Sequence, residues 1–159
     1  MSSRPTHRAF SLIEAVACIV TLSIAVPACM FPLRDAAAAR VDALQVERAA
    51  ALMAALTDTI LADAASADGA LGFGAFANSN LYLHSARAGL HRRIQPITDV
   101  YAEHGLTYSV SIGPLVSATG VATGDPDRDV YRWIGLAARW RTSKGTDAEL
   151  ASGVMVCAP

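Results

Sequence analysis

Between Arg8 and Leu33 the chain reads RAFSLIEAVACIVTLSIAVPACMFPL, an apolar run interrupted near its start by one carboxylate, Glu14. As a helix, residues 10–33 are long enough to cross a hydrocarbon core of about 30 Å. Any fold for this chain has to keep that run out of water. It also has to accommodate Glu14, because moving a charge toward hydrocarbon costs at least about 3 kcal/mol unless a partner or water reaches it. The natural partner of such a group is an amine. Arg4, His7 and Arg8 precede the run, and the bias of basic residues toward the cytoplasmic side predicts an N-terminus inside and the remainder exported. Pro27 and Pro32 each remove a backbone donor, which predicts a kinked or loosened distal half.

Several signals share a basic start and an apolar stretch. A secretory signal peptide is one, but Glu14 falls where such a signal keeps its apolar region unbroken. Val26-Pro27-Ala28-Cys29 suggests a lipoprotein signal, with Pro27 a poor fit to the cleavage pattern and the same carboxylate in the way. A plain single-pass anchor, with Glu14 reaching back to the interface, has no need of this residue pattern. Arg8-Ala9-Phe10-Ser11-Leu12-Ile13-Glu14 resembles the cleavage and methylation signal of type IV prepilins and pseudopilins. That signal is a short basic leader and a small residue, then Phe-Thr/Ser-Leu-Ile-Glu opening an apolar helix. The resemblance covers about the first quarter of the chain. It implies cleavage between Ala9 and Phe10 by a prepilin peptidase on the cytoplasmic face, followed by N-methylation of Phe10. One position departs from the family, which almost always has glycine before the cut where this chain has Ala9.

After such a cut Phe10 carries an ammonium at a helix N-terminus, with Glu14 one turn further on, where its charge also suits the helix dipole. In a filament of bundled helices, Glu14 of one subunit could neutralise the Phe10 amine of a neighbour. A charge pair in an apolar setting is weak evidence for stability and better evidence for register.

Beyond the run, residues 34–67 change to alanine, charge and spaced large apolars; alanine, leucine, glutamate and arginine are strong helix formers, and no glycine or proline interrupts. Ala49, Leu52, Met53, Leu56 and Ile60 recur at three- and four-residue steps as one stripe, with Glu47 and Asp58 on the other side. One long kinked helix is expected, apolar all round in its first half and amphipathic in its second. Residues 69–80 form a glycine-rich connection. It follows a helix and lacks the Lys-Ser/Thr of a phosphate loop, so Phe73 and Phe76 are expected to tuck against the domain. Leu81-Tyr82-Leu83 suggests a short strand, and His84, Arg87, His91, Arg92 and Arg93 a solvated basic face. Thr98 and Gly105 read as the cap and stop of a one- or two-turn helix.

Leu106, Tyr108, Val110 and Ile112 alternate with polar residues as a half-buried strand does, with Gly113-Pro114 ending or kinking it. Ile134, Leu136, Ala138 and Trp140 alternate with outward Arg139 and Arg141. Ser143-Lys144-Gly145-Thr146 supplies a turn, and Leu150, Ser152, Val154 and Val156 a returning strand. This hairpin resembles the C-terminal hairpin of minor pseudopilins. The expected fold class is α+β, a long N-terminal helix on a small antiparallel sheet, pilin-like. The expected divisions are a leader at 1–9, a transmembrane or filament-core helix at 10–33, its amphipathic continuation at 34–67 and a β-rich exported domain at 68–159.

In the loop at 117–129, Asp125, Asp127 and Asp129 are alternate carboxylates of the kind that can hold calcium. The glycine and final glutamate of the helix-loop-helix calcium site are missing, and Pro126 and Arg128 suit a simple polar turn. The three cysteines form no disulfide framework. Cys18 and Cys29 would be about 16 Å apart on a helix, too far to bridge, and Cys157 has no evident partner. All three are expected to behave as small buried hydrophobes.

A net charge of −1 does not suggest a nucleic-acid partner. No catalytic elbow, His-Glu-x-x-His or Cys-x-x-Cys is present, and His84, His91 and His104 lack ligand-like spacing. Neither an enzyme nor a cofactor is expected. The resemblance implies a minor structural subunit of a type IV pilus or type II secretion pseudopilus. Its implied partners are prepilin peptidase, other pilin or pseudopilin subunits, the inner-membrane assembly platform and the lipid bilayer. It would sit in the inner membrane with a cytoplasmic N-terminus and a periplasmic domain before entering the filament. The alternative is a membrane-anchored exported domain with a ligand-binding or enzymatic role.

Overall fold

A computed structural model of the protein describes residues 11–157. The chain divides into two compact units, Met1–Arg40 and Val41–Pro159. The architecture is α+β, with a long N-terminal helix packed on a small three-stranded antiparallel sheet. Helix α1 (Leu12–Ala64) contains 53 residues, with Pro27 and Pro32 inside it. In the first unit its side chains are almost all exposed, from Leu12 and Ile13 to Phe31 and Leu33. This part is long and apolar enough to cross a membrane.

In the second unit the expected stripe is the one that packs. Ala49, Leu52, Met53, Leu56 and Ile60 are all buried, and the same face continues to Asp63 and Ala64. Each large side chain on it contributes about 1.5–3 kcal/mol of burial. A short 3₁₀ turn (Phe73–Ala77) follows, then α2 (Ser79–His84) and α3 (Leu90–Ala102). The glycine-rich connection thus holds a defined turn, with Phe76 fully buried and set edge-on to Tyr82 at 4.7 Å. Leu81-Tyr82-Leu83 is helical, not a strand. Asn78 caps α2 by accepting the Leu81 amide at its Oδ1, and one turn of helix suffices to bury Tyr82 and Leu83 together. Helix α3 begins eight residues before Thr98, which lies inside it and is not its cap. Gly105 does terminate the helix. At φ 76° it lets Leu106 N–H reach the Tyr101 carbonyl and its own N–H reach Ala102, the left-handed stop that favours glycine.

Strands β1 (Thr107–Val116), β2 (Tyr131–Arg141) and β3 (Asp147–Cys157) form a meander in that order, each pair antiparallel. Ile134, Leu136, Ala138 and Trp140 face the core as expected, joined by Tyr108, Val110, Ile112, Leu150, Val154 and Val156. Arg139 and Arg141 point outward, and Arg139 pairs with its cross-strand neighbour Glu149 at 2.7 Å. Gly113-Pro114 bends β1 without ending it, through a register shift between Ile112 and Leu115. The Gly113 carbonyl accepts a bond from Arg132 Nη1. The turn between β2 and β3 is held to α1 by Asp42, whose carboxylate accepts the Ser143 amide at 2.7 Å and its hydroxyl at 2.9 Å. Cys18, Cys29 and Cys157 are free and exposed, against the expectation that they are buried. The first two lie on a helix exposed on all sides, and the third on the outward register of β3.

On the outer sheet face Gly135 and Gly153 are cross-strand partners, and the Trp133 indole lies over them. A Cβ built on Gly153 would sit 1.9 Å from Trp133 Cζ2. Trp133 is 44% exposed and Trp140 only 7%. Gly153→Ala is therefore expected to lift the Trp133 ring off the sheet, costing about 1 kcal/mol and increasing acrylamide quenching of tryptophan emission. Unchanged quenching would contradict this placement.

Candidate functional site

Ser11 opens α1, its hydroxyl oxygen accepting the Glu14 amide at 3.2 Å and its carbonyl the same amide at 3.0 Å. Between Leu12 and Leu33, Glu14 is the sole Asp, Glu, Lys or Arg. The hydroxyls of Thr21 and Ser23 donate to the carbonyls of Ala17 and Ile19, each at 2.7 Å, so neither adds an unmet polar group to the helix surface. Helical periodicity places Ser11, Glu14, Cys18, Thr21 and Ala25 on one face, while Leu12, Val16, Ile19 and Val20 lie on another. The carboxylate thus stands on a seam of small side chains. The expected cut between Ala9 and Phe10, and the Phe10 amine, lie outside the described residues. The pairing of that amine with Glu14 falls outside them too.

In the second unit the largest concentration of buried charge was not anticipated from sequence. Asp63, 5% exposed, lies on the inner stripe of α1. Its Oδ1 accepts Arg93 Nη1 at 2.7 Å, and its Oδ2 accepts both Arg93 Nη2 and the Tyr82 hydroxyl, each at 2.5 Å. Arg93 also donates from Nε to the Ala88 carbonyl at 2.9 Å. One carboxylate therefore links α1, α2 and α3. Burial, then the bond to Asp63, pushes the Tyr82 phenol well above its usual 10.0, and the bonds to Asp63 hold the Arg93 guanidinium above its usual value. Arg93 is accordingly not part of a solvated basic face. The detectable signal was Asp63 itself, three residues past Ile60 on a stripe that is otherwise apolar.

The 117–129 loop is organised from within. Asp129 is buried and accepts the Thr123 amide at 2.8 Å, the Thr123 hydroxyl at 2.9 Å and the Gly124 amide at 2.7 Å. Burial raises its pKa, but these three bonds outweigh it and leave the carboxyl below its usual value. Asp125 accepts the Asp127 amide and stands 3.6 Å from Arg128. Of the three residues raised as calcium ligands, Asp125 and Asp129 thus have their carboxylates in turn-forming bonds while Asp127 takes part through its amide, and among the described residues no three His, Cys, Asp or Glu side chains are grouped to hold a metal ion. His84 and His104 are exposed, while His91 is half-buried with Nδ1 2.7 Å from the Tyr108 hydroxyl.

No family model matches the chain, and no curated protein or solved structure matches it either.

Two outcomes follow for the Asp63 cluster. Arg93→Met leaves a buried carboxylate without its cation and is expected to cost about 3 kcal/mol in denaturant unfolding, with much of the loss recovered in an Asp63→Leu/Arg93→Met double variant. Tyr82 has a folded pKa raised above its unfolded value. Its contribution is fully present below about pH 10 and is lost as the pH climbs through the folded pKa. Tyr82→Phe should therefore flatten the alkaline limb of a stability-versus-pH curve. An equally steep limb in the variant would assign that limb to other groups.

Proposed function

We propose that this chain is a pilin-like structural subunit, a minor pilin or minor pseudopilin of a type IV pilus or type II secretion filament. In this reading it is cut between Ala9 and Phe10 by prepilin peptidase, N-methylated on Phe10, and assembled through the first half of α1. It stands as a single-pass protein of the inner membrane with its domain on the periplasmic side, until the assembly platform moves it into the fibre.

The supporting observation is Glu14. It is the one charged side chain between Leu12 and Leu33, the exposed apolar part of α1, and it stands on a face of small residues. Small side chains allow helices to approach closely where lipid supplies no hydrophobic driving force. A carboxylate on that face favours a neighbour that brings a positive charge to the same depth. The ammonium of a cleaved Phe10 is such a charge, and the residues Phe10-Ser11-Leu12-Ile13-Glu14 are those the prepilin resemblance rests on.

Mass spectrometry of the protein isolated from cells with an active prepilin peptidase is expected to show methyl-Phe10 as the first residue. An intact Met1 or a lipidated Cys29 would sink the proposal. Glu14→Ala should insert in the membrane normally, as judged by fractionation, yet enter sheared filaments at least about tenfold less than the unsubstituted chain, a loss of roughly 1.4 kcal/mol in assembly. Normal incorporation of that variant would refute the charge pairing.

A further inference from the structure

The end of α2 and the start of α3 bring two imidazoles together. His84 is the last residue of α2 and His91 the second of α3. Their ring centroids lie 4.8 Å apart with the planes inclined by 35°. The bond from His91 Nδ1 to Tyr108 on β1 fixes one ring and leaves its Nε2 free of that contact. Around the pair runs a groove of about 420 Å³ whose lining includes Arg92, Ser85, Gln95 and Thr98, and no Asp or Glu. Arg92 is exposed and makes no ion pair among the described residues.

The charged and titratable groups facing this place are His84 from α2, His91 and Arg92 from α3, and Tyr108 from β1, with Asp99 acting on Tyr108 from α3. Burial, then the neighbouring His84, holds His91 below its usual pKa. Two such close imidazoles beside a guanidinium without an ion pair repel one another once protonated, and no carboxylate in the lining offsets that repulsion. From this juxtaposition we infer that the groove binds a phosphate-type oxyanion, free or carried on a lipid headgroup, held between the histidine pair and Arg92. Guanidinium and imidazolium both donate charge-assisted hydrogen bonds to such oxygens. A bound anion favours the charged form of each histidine, so affinity rises as pH falls toward the range in which the pair takes up protons. The site is independent of whether the chain assembles into a filament.

The test uses the full-length protein with isotope-labelled histidine in neutral-detergent micelles, titrated with inorganic phosphate at about pH 6 and about pH 8 while the histidine ring signals are followed by NMR. Saturable shifts at His84 and His91, stronger at the lower pH and absent at the exposed His104, are expected, together with raised titration midpoints for the pair. Arg92→Gln removes an exposed side chain and should weaken phosphate binding about tenfold with an unchanged circular dichroism spectrum. His91→Gln should abolish the His84 response. In bicelles without added phosphate, a response to phosphatidic acid and none to phosphatidylcholine identifies a headgroup source. A response to free phosphate alone identifies a soluble one. Three results would overturn the proposal: no saturable shift at the lower pH, shifts that sodium chloride reproduces at matched ionic strength, or a response to zinc ions with none to phosphate.

Discussion

Asp63 is the group around which the helical layer of the domain closes. A carboxylate on the inner face of a helix, with 5% of its surface exposed, carries a desolvation penalty of several kcal/mol that only a well-placed cation and further donors offset. Arg93 supplies two parallel bonds and Tyr82 a third. Because those donors come from α3 and α2, neither helix can slide on α1 without stranding the charge. Apolar contacts alone would tolerate such a shift, since Phe76, Tyr82 and Leu90 could bury similar area in several arrangements. The pair is therefore better understood as fixing one packing of three short-contact helices than as a net source of stability.

The same long helix meets two different requirements along its length. Toward its start, large apolar residues such as Leu12, Val16, Ile19 and Val20 are exposed, a surface suited to lipid or to other helices. From Ala49 onward a single stripe is buried, and the remaining faces, Leu61 apart, are polar or small. Pro27 and Pro32 fall in the first unit, among exposed side chains, where a missing backbone hydrogen bond is compatible with bending. Asp42 then holds the β2–β3 turn to the helix through Ser143. At the other end of the packed stripe, Asp63 holds α2 and α3. Two side-chain carboxylates thus bracket the apolar contact between helix and sheet.

What was legible in the sequence was periodic. The 3.6-residue stripe of α1 and the alternation of β1, β2 and β3 each repeat over enough residues to be read, and the inward residues Ile134, Leu136, Ala138 and Trp140 followed from that repeat. Short elements set by a single contact were not legible. Leu81-Tyr82-Leu83 has the composition of a strand, but the Asn78 cap and the burial of Tyr82 against Phe76 make it a helix. Thr98 resembled a cap because nothing in the sequence shows that α3 already begins at Leu90. Charge pairing was the least visible of all, since Asp63 and Arg93 are 30 residues apart and only the fold makes them neighbours. Cys18 and Cys29 differ from expectation for a related reason. Small apolar residues go inside where a core is available, and the first half of α1 has none of its own.

That last point bears on Glu14. In hydrocarbon a uniformly apolar helix gains little by choosing one height over another beside its neighbour, because lipid tails are as apolar as leucine. Close packing of the small face formed by Ser11, Cys18, Thr21 and Ala25 selects a direction of approach but repeats every three or four residues, so it leaves the axial offset poorly determined. A single carboxylate does not repeat. In the proposed assembly an unpaired charge at that depth would be penalised by about 3 kcal/mol, so one offset would be favoured over the others. The placement of Glu14, one turn into the helix and alone among the residues from Leu12 to Leu33, is what a register device requires. A membrane anchor with no neighbour to align would be better served by leucine there.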